Sequence, residues 1–159
     1  MPARLRERAA AYRAALLGPL YCDTSALLKL YLPEPGSAEL TRVVEGRDDL
    51  VVSDLAVTEI ASALSRRVRE GAITAEAARR VQRTIVETLD GSPYARIELV
   101  REVHRRAEHL LLTLTDAPLR ALDALHLALA LAARAASMAV FDARLAAAAR
   151  AVGLAVYPA

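Results

Sequence analysis

Apolar positions along this chain follow two alternating patterns. Five short runs have strand character: residues 20–22 (Leu-Tyr-Cys), 50–53 (Leu-Val-Val-Ser), 97–100 (Ile-Glu-Leu-Val), 137–141 (Ser-Met-Ala-Val-Phe) and 154–157 (Leu-Ala-Val-Tyr). The longer stretches between them carry helical periodicity. Over 53–70, Val57, Ile60, Ala61, Leu64 and Val68 recur at the spacing of one buried helix face. Segments 74–89 and 100–113 also read as helices, punctuated by Gly71 and by Asp-Gly-Ser-Pro at 90–93. At 119–133 leucines surround the whole helical wheel, which predicts a helix buried on most sides. Pro-Glu-Pro-Gly-Ser at 33–37 reads as a turn, and residues 1–17 as a helix ahead of the first strand.

Short strands alternating with helices predict an α/β domain with a mainly parallel sheet. Right-handed crossovers then put helices on both faces. The pattern leaves the strand order open. A length of 159 residues suits one such domain, with interior enough to fold without disulfides or structural metal. The longest charge-free run, 124–133, falls well short of the roughly 18 residues of a membrane span. The first residues mix Arg and Glu without an apolar core, so no secretory signal is expected, and a single cysteine, Cys22, fits a reducing cytoplasm.

Net charge is +2, which identifies no partner by itself. The cations are almost all arginine and cluster at 66–69, 79–83 and 101–106. Arginine forks match phosphate geometry, although such clusters equally make solvated helix faces.

Acidic residues sharpen the reading. In an open parallel sheet, functional groups gather beyond the carboxyl ends of the strands. Asp23 and Asp142 each follow an apolar run and precede a helical one, so each fits either such a site or a helix N-cap. Asp123 is harder to account for, because it interrupts an apolar helix. A carboxylate buried there unpaired costs several kcal/mol and demands a cation, hydrogen bonds or a metal. His126, one turn on, is a partner or simply a satisfied core histidine. Glu59 lies opposite the apolar stripe of its helix, near Ser62 and Arg66, and by spacing alone reads as solvated. His104 and His109 share no helical face, and no zinc cluster, nucleophile elbow or phosphate-binding loop motif is present.

Taken together, Tyr-Cys-Asp-Thr-Ser-Ala-Leu-Leu-Lys-Leu-Tyr-Leu from residue 21, Val-Val-Ser-Asp-Leu-Ala-Val-Thr-Glu-Ile from 51, Leu-Arg-Ala-Leu-Asp-Ala-Leu-His from 119 and Phe-Asp-Ala-Arg-Leu from 141 resemble the PIN-domain family, especially VapC-type toxins of toxin–antitoxin pairs. The resemblance spans about residues 20–157, so it divides the chain into an N-terminal extension, 1–19, and a nuclease-like domain, 20–159. It implies a three-layer α/β/α sandwich and Mg²⁺- or Mn²⁺-dependent cleavage of RNA, by homodimers inhibited by a cognate antitoxin. The implied acidic site is Asp23, Glu59, Asp123 and Asp142, with Ser25 beside the first aspartate. Asp23 and Asp123 would be primary ligands, Asp142 would serve a second ion or its water, and Glu59 would orient or deprotonate the attacking water. Arg66 and Arg67 would hold the RNA backbone. Two departures stand out: Val140 replaces a hydroxyl residue common in relatives, and residues 1–19 have no counterpart. An inactive PIN fold serving as a partner-binding module is the alternative. An aspartyl phosphotransferase or receiver domain fits poorly, lacking the motifs and the lysine those require.

Overall fold

A computed structural model describes residues 3–91 and 94–158. Its elements run α1 (Ala3–Ala15), β1 (Leu20–Cys22), α2 (Thr24–Tyr31), α3 (Ser37–Val44), β2 (Leu50–Ser53), α4 (Asp54–Arg69), α5 (Ala75–Gly91), β3 (Ala95–Ile97), α6 (Arg101–Thr113), α7 (Ala121–Ala132), β4 (Ser137–Ala139), α8 (Ala143–Ala151) and β5 (Ala155–Tyr157). The strands form one parallel sheet in the order β3-β2-β1-β4-β5. β1 is therefore central, with β2 and β4 as its neighbours.

Strand alternation sorts the core into two halves. On β1, Leu20 and Cys22 face a cluster built from α1 to α5, whereas Tyr21 faces one built chiefly from α6, α7 and α8. The sheet thus lies between two helical layers, the three-layer α/β/α sandwich expected from the sequence. The central strands read as continuous apolar runs because both of their faces are covered.

Two expectations shift. The strand anticipated at 97–100 forms at Ala95–Ile97 instead. Its ladder with β2 ends where Ile97 meets Ser53, because Ser53 already caps α4 through its hydroxyl and the partner strand stops there. Ile97 and Leu99 still pack on the core, which accounts for the apolar pattern. The break expected at 90–93 also moves: α5 continues through Gly91, and Ser92 and Pro93 lie outside the described residues.

Residues ahead of β1 are helical, as predicted, and α1 is bound to the body. Ala9 and Leu16 are buried, and Arg13 donates to the carbonyls of Arg42 (2.6 Å) and Glu45 (2.5 Å). Those carbonyls end α3, where a cation is favoured by the unpaired backbone acceptors and the helix dipole. Among the described residues, no helix is long and apolar enough to cross a membrane.

Candidate active site

Parallel strands deliver their following residues to one edge of the sheet, and β1 delivers Asp23 there. Its carboxylate caps α2, accepting from the Ala26 amide (2.8 Å) and from the Ser25 hydroxyl (2.7 and 3.0 Å to its two oxygens). Only 4% of Asp23 is exposed. Burial pushes its carboxyl up to about 6, against the opposing pull of those donors and of His126. The nearby charge of Glu59 pushes in the same direction as burial. A cap alone needs no such burial; a carboxylate held at this cost is a natural seat for a cation.

Ser25 ties this corner to the neighbouring strand. Its hydroxyl also accepts from the Phe141 amide (2.9 Å), just past β4, while the Asp23 amide donates to Ala139 (3.1 Å). Asp142 follows directly. It is exposed and caps α8, accepting from the amides of Arg144 (2.9 Å) and Leu145 (3.0 Å). Both aspartates that read equally as caps or as site residues are thus caps, set side by side at the carboxyl ends of adjacent strands.

Glu59 departs from the solvated face that spacing alone suggested. It is half-buried, and its Oε2 accepts from Thr24 Oγ1 (2.5 Å) and His126 Nε2 (2.5 Å). Burial pushes the Glu59 carboxyl up, but the bonds from His126 and Thr24 outweigh it and hold it below the ordinary range. His126 is itself almost wholly buried, with Tyr21 Oη 2.8 Å from Nδ1. Tyr21 Oη also lies 2.8 Å from the hydroxyl of Ser53, the cap of α4. Burial keeps the Tyr21 hydroxyl well above its ordinary range and therefore protonated.

Asp123 is less extreme than its apolar surroundings implied. α7 begins at Ala121, which places Asp123 in the first turn, half-buried, accepting from the Arg120 amide (3.0 Å). Such a position suits a carboxylate on helix-end grounds alone. It lies one turn before His126, whose Nε2 bonds Glu59. Val140 is buried in the core, so the hydroxyl beside the aspartates comes from Ser25. Of the two arginines, Arg66 is exposed, whereas Arg67 is paired with Glu34, which also binds Lys29 (2.9 Å).

The donor set fits a hard cation: carboxylates and hydroxyls, without thiols or a histidine cluster. Among the described residues, no three carboxylates, imidazoles or thiols are grouped as a ready-made cage. Mg²⁺ commonly takes one or two protein carboxylates and fills its octahedron with water and phosphate oxygens, which is the kind of site the buried Asp23 can anchor.

A family model of the PIN domain matches residues 20–151 of the sequence. The chain belongs to the PIN-domain family. Among solved structures, this PIN domain is similar to VapC20 of Mycobacterium tuberculosis, described as a sarcin-ricin loop cleaving toxin. The TM-score is 0.66 at 15% identity, over 81% of this chain and 94% of that one. It is also similar to PAE2754 of Pyrobaculum aerophilum, with a TM-score of 0.61 at 19% identity, over 87% and 83% of the two chains. At these identities the likeness is one of fold. None of the curated protein sequences matches this one.

Tyr21, Thr24, Ser53 and His126 were not singled out as site residues by the sequence, apart from His126 as a neighbour of Asp123. One signal was available. A tyrosine inside a strand flanked by apolar residues must find a partner for its hydroxyl, and a histidine in an alanine–leucine helix must find two.

Proposed function

We propose that this PIN domain is a divalent-metal-dependent endoribonuclease, the toxin of a toxin–antitoxin pair. The observation that carries the reading is Asp23, a buried carboxylate at the carboxyl end of the central strand, with Glu59 held beside it by two donors. The family match supports nuclease chemistry, and the fold shared with an RNA-cleaving toxin favours RNA as substrate. When bound, Mg²⁺ or Mn²⁺ supplies positive charge against the scissile phosphate and lowers the pKa of water.

Asp23 and Asp123 serve as the metal-holding carboxylates, with Asp142 at the outer side of the site. Ser25 fixes the orientation of Asp23 and its distance from the β4 edge. Glu59 stays ionised, orients the attacking water and accepts its proton. Exposed Arg66 steers the RNA backbone; Arg67 does so only on leaving Glu34. A cognate antitoxin, a homodimeric state and a cytoplasmic setting complete the proposal.

Incubation of total RNA with Mn²⁺, followed by mapping of the cleaved ends, tests it. Wild-type protein should cut at defined positions and stop on adding EDTA. Asp23→Asn should reduce cutting to background, and Glu59→Gln should slow it about 10²- to 10⁴-fold, the range for loss of a general base. Cleavage by folded Asp23→Asn at the wild-type rate, or indifference to EDTA, sinks the proposal. Titration calorimetry with Mn²⁺ distinguishes a partner-binding module, which would take up no metal.

A further inference from the structure

Glu59 is the acid whose placement by sequence and by structure differ most, and the difference lies in what holds it. A glutamate has three side-chain torsions, and on a helix face open to solvent it samples many of them. Here one oxygen, Oε2, receives both Thr24 and His126, while Oε1 is not engaged by any other described residue. Two donors thereby pin that one oxygen in place.

The holding group is itself held. An ionised carboxylate only accepts, so His126 Nε2 carries the hydrogen between them. At the far side of the ring, Nδ1 meets Tyr21 Oη at 2.8 Å, and Tyr21 reaches Ser53 at 2.8 Å. Tyr21 stands on the central strand, Ser53 ends β2 and His126 sits on α7, so one chain of bonds links three elements. The tyrosine and histidine rings also meet edge to face, with centroids 5.9 Å apart. A histidine needed only to fill the core would not require an acid from a fourth element, α4, to reach back to it.

We propose that His126, anchored by Tyr21, is a positioning residue for Glu59, fixing through Oε2 the direction in which Oε1 faces the attacking water. The inference rests on the nuclease reading, and assigns His126 and Tyr21 no contact with RNA or metal. The chain of bonds acts on the rate of the chemical step, since it sets geometry at the reacting atoms and leaves substrate binding alone.

Two isosteric amides separate this from a purely structural role. In His126→Gln the amide nitrogen falls near the place of Nε2 and can still donate to Glu59. In His126→Asn it falls near Nδ1, keeping the Tyr21 side and abandoning Glu59. Cleavage kinetics on a short RNA should show kcat reduced roughly 10- to 100-fold in His126→Asn with KM unchanged, the size typical of a lost orienting partner. His126→Gln should recover most of that loss, and Tyr21→Phe, which deletes a single oxygen, should fall between. Binding of a 2′-O-methyl RNA, which cannot be cleaved, should be the same for all three.

A readout independent of turnover comes from proton NMR of the metal-free protein. The Nε2 proton shared with Glu59 should resonate far downfield of the amides, vanish in His126→Asn and move upfield in Glu59→Gln. Equal rates for the Asn and Gln variants, an effect confined to KM, or a downfield proton indifferent to Glu59→Gln would each overturn the proposal. Should His126→Asn not fold, Tyr21→Phe decides alone, and a wild-type rate there overturns it. Wild-type protein that cuts no RNA removes the nuclease reading and this inference together; active wild type with unaffected variants removes the inference only.

Discussion

Asp23 shows how one side chain carries two obligations. Its carboxylate caps α2 through the Ala26 amide, yet burial raises its pKa from the ordinary value near 3.8 to about 6. The folded protein therefore binds a proton between about pH 4 and 6 that the unfolded chain releases, so stability falls as pH rises through that window. A gap of some two pH units corresponds to about 3 kcal/mol at most. Asn caps a helix as well as Asp does and carries no charge. Metal-free Asp23→Asn should therefore be more stable than wild type at pH 7.5, by up to about 3 kcal/mol, with the difference vanishing near pH 4. Urea unfolding at the two pH values checks this, and a less stable variant at pH 7.5 would contradict it. Mg²⁺ should raise the melting temperature of wild type and leave Asp23→Asn unmoved. Asp23 was legible in the sequence because strand, acid and helix are contiguous. The contact of His126 with Glu59 was not, because the two are separated by 67 residues and meet only after folding. Periodicity reports which face of a helix is apolar; it says nothing of a polar side chain that crosses to another element.

At the scale of elements, legibility followed hydrogen bonding as much as hydrophobicity. Four of the five apolar runs contain a strand, the fifth only overlaps the end of β3, and the fold class follows from their alternation with helices. The run at 97–100 was misplaced because register depends on where the partner strand ends, a non-local fact. The leucine-rich stretch starts two residues before α7 does, so its pattern places Asp123 inside a buried helix where the structure has a first-turn acceptor. The joint between α1 and β1 depends on Gly18, which has a φ of 69° and whose missing Cβ would sit 2.9 Å from the Ala136 Cβ. Gly18→Ala meets both obstacles at once. It should cost about 2 kcal/mol or more, from the left-handed conformation and the contact combined. The midpoint of urea unfolding should drop with an unchanged slope. Adding Ala136→Gly should restore only the part due to the contact. Full recovery would mean that the backbone conformation costs nothing.

Across the whole molecule, the two helical layers divide the labour. The α6–α8 layer supplies His126 and Asp123, the α1–α5 layer supplies Glu59, and the central strand between them supplies Asp23 and Tyr21. The proposed site, assembled this way, depends on both layers staying seated, which gives the segment ahead of β1 a physical consequence. Tyr12 of α1 packs edge to face on Tyr157 at 4.7 Å, and Tyr157 packs on Phe141 at 5.9 Å, the residue before Asp142. Lys29 lies over the same Phe141 ring. Removal of residues 1–15 uncovers Tyr157 and the apolar face of α3, and deletes the Arg13 bonds that close the end of that helix. Losses of buried aromatic and aliphatic contacts each run to a few kcal/mol, so the shortened chain should lose about 3 kcal/mol or more of unfolding free energy. Tyr12→Ala should reproduce part of that loss within the full chain. If α1 were a mere appendage to the 20–159 unit, urea unfolding of the shortened chain would be superimposable on that of the whole. A loss as large as the one expected makes α1 part of the cooperative unit, through a row of rings that ends beside the aspartates.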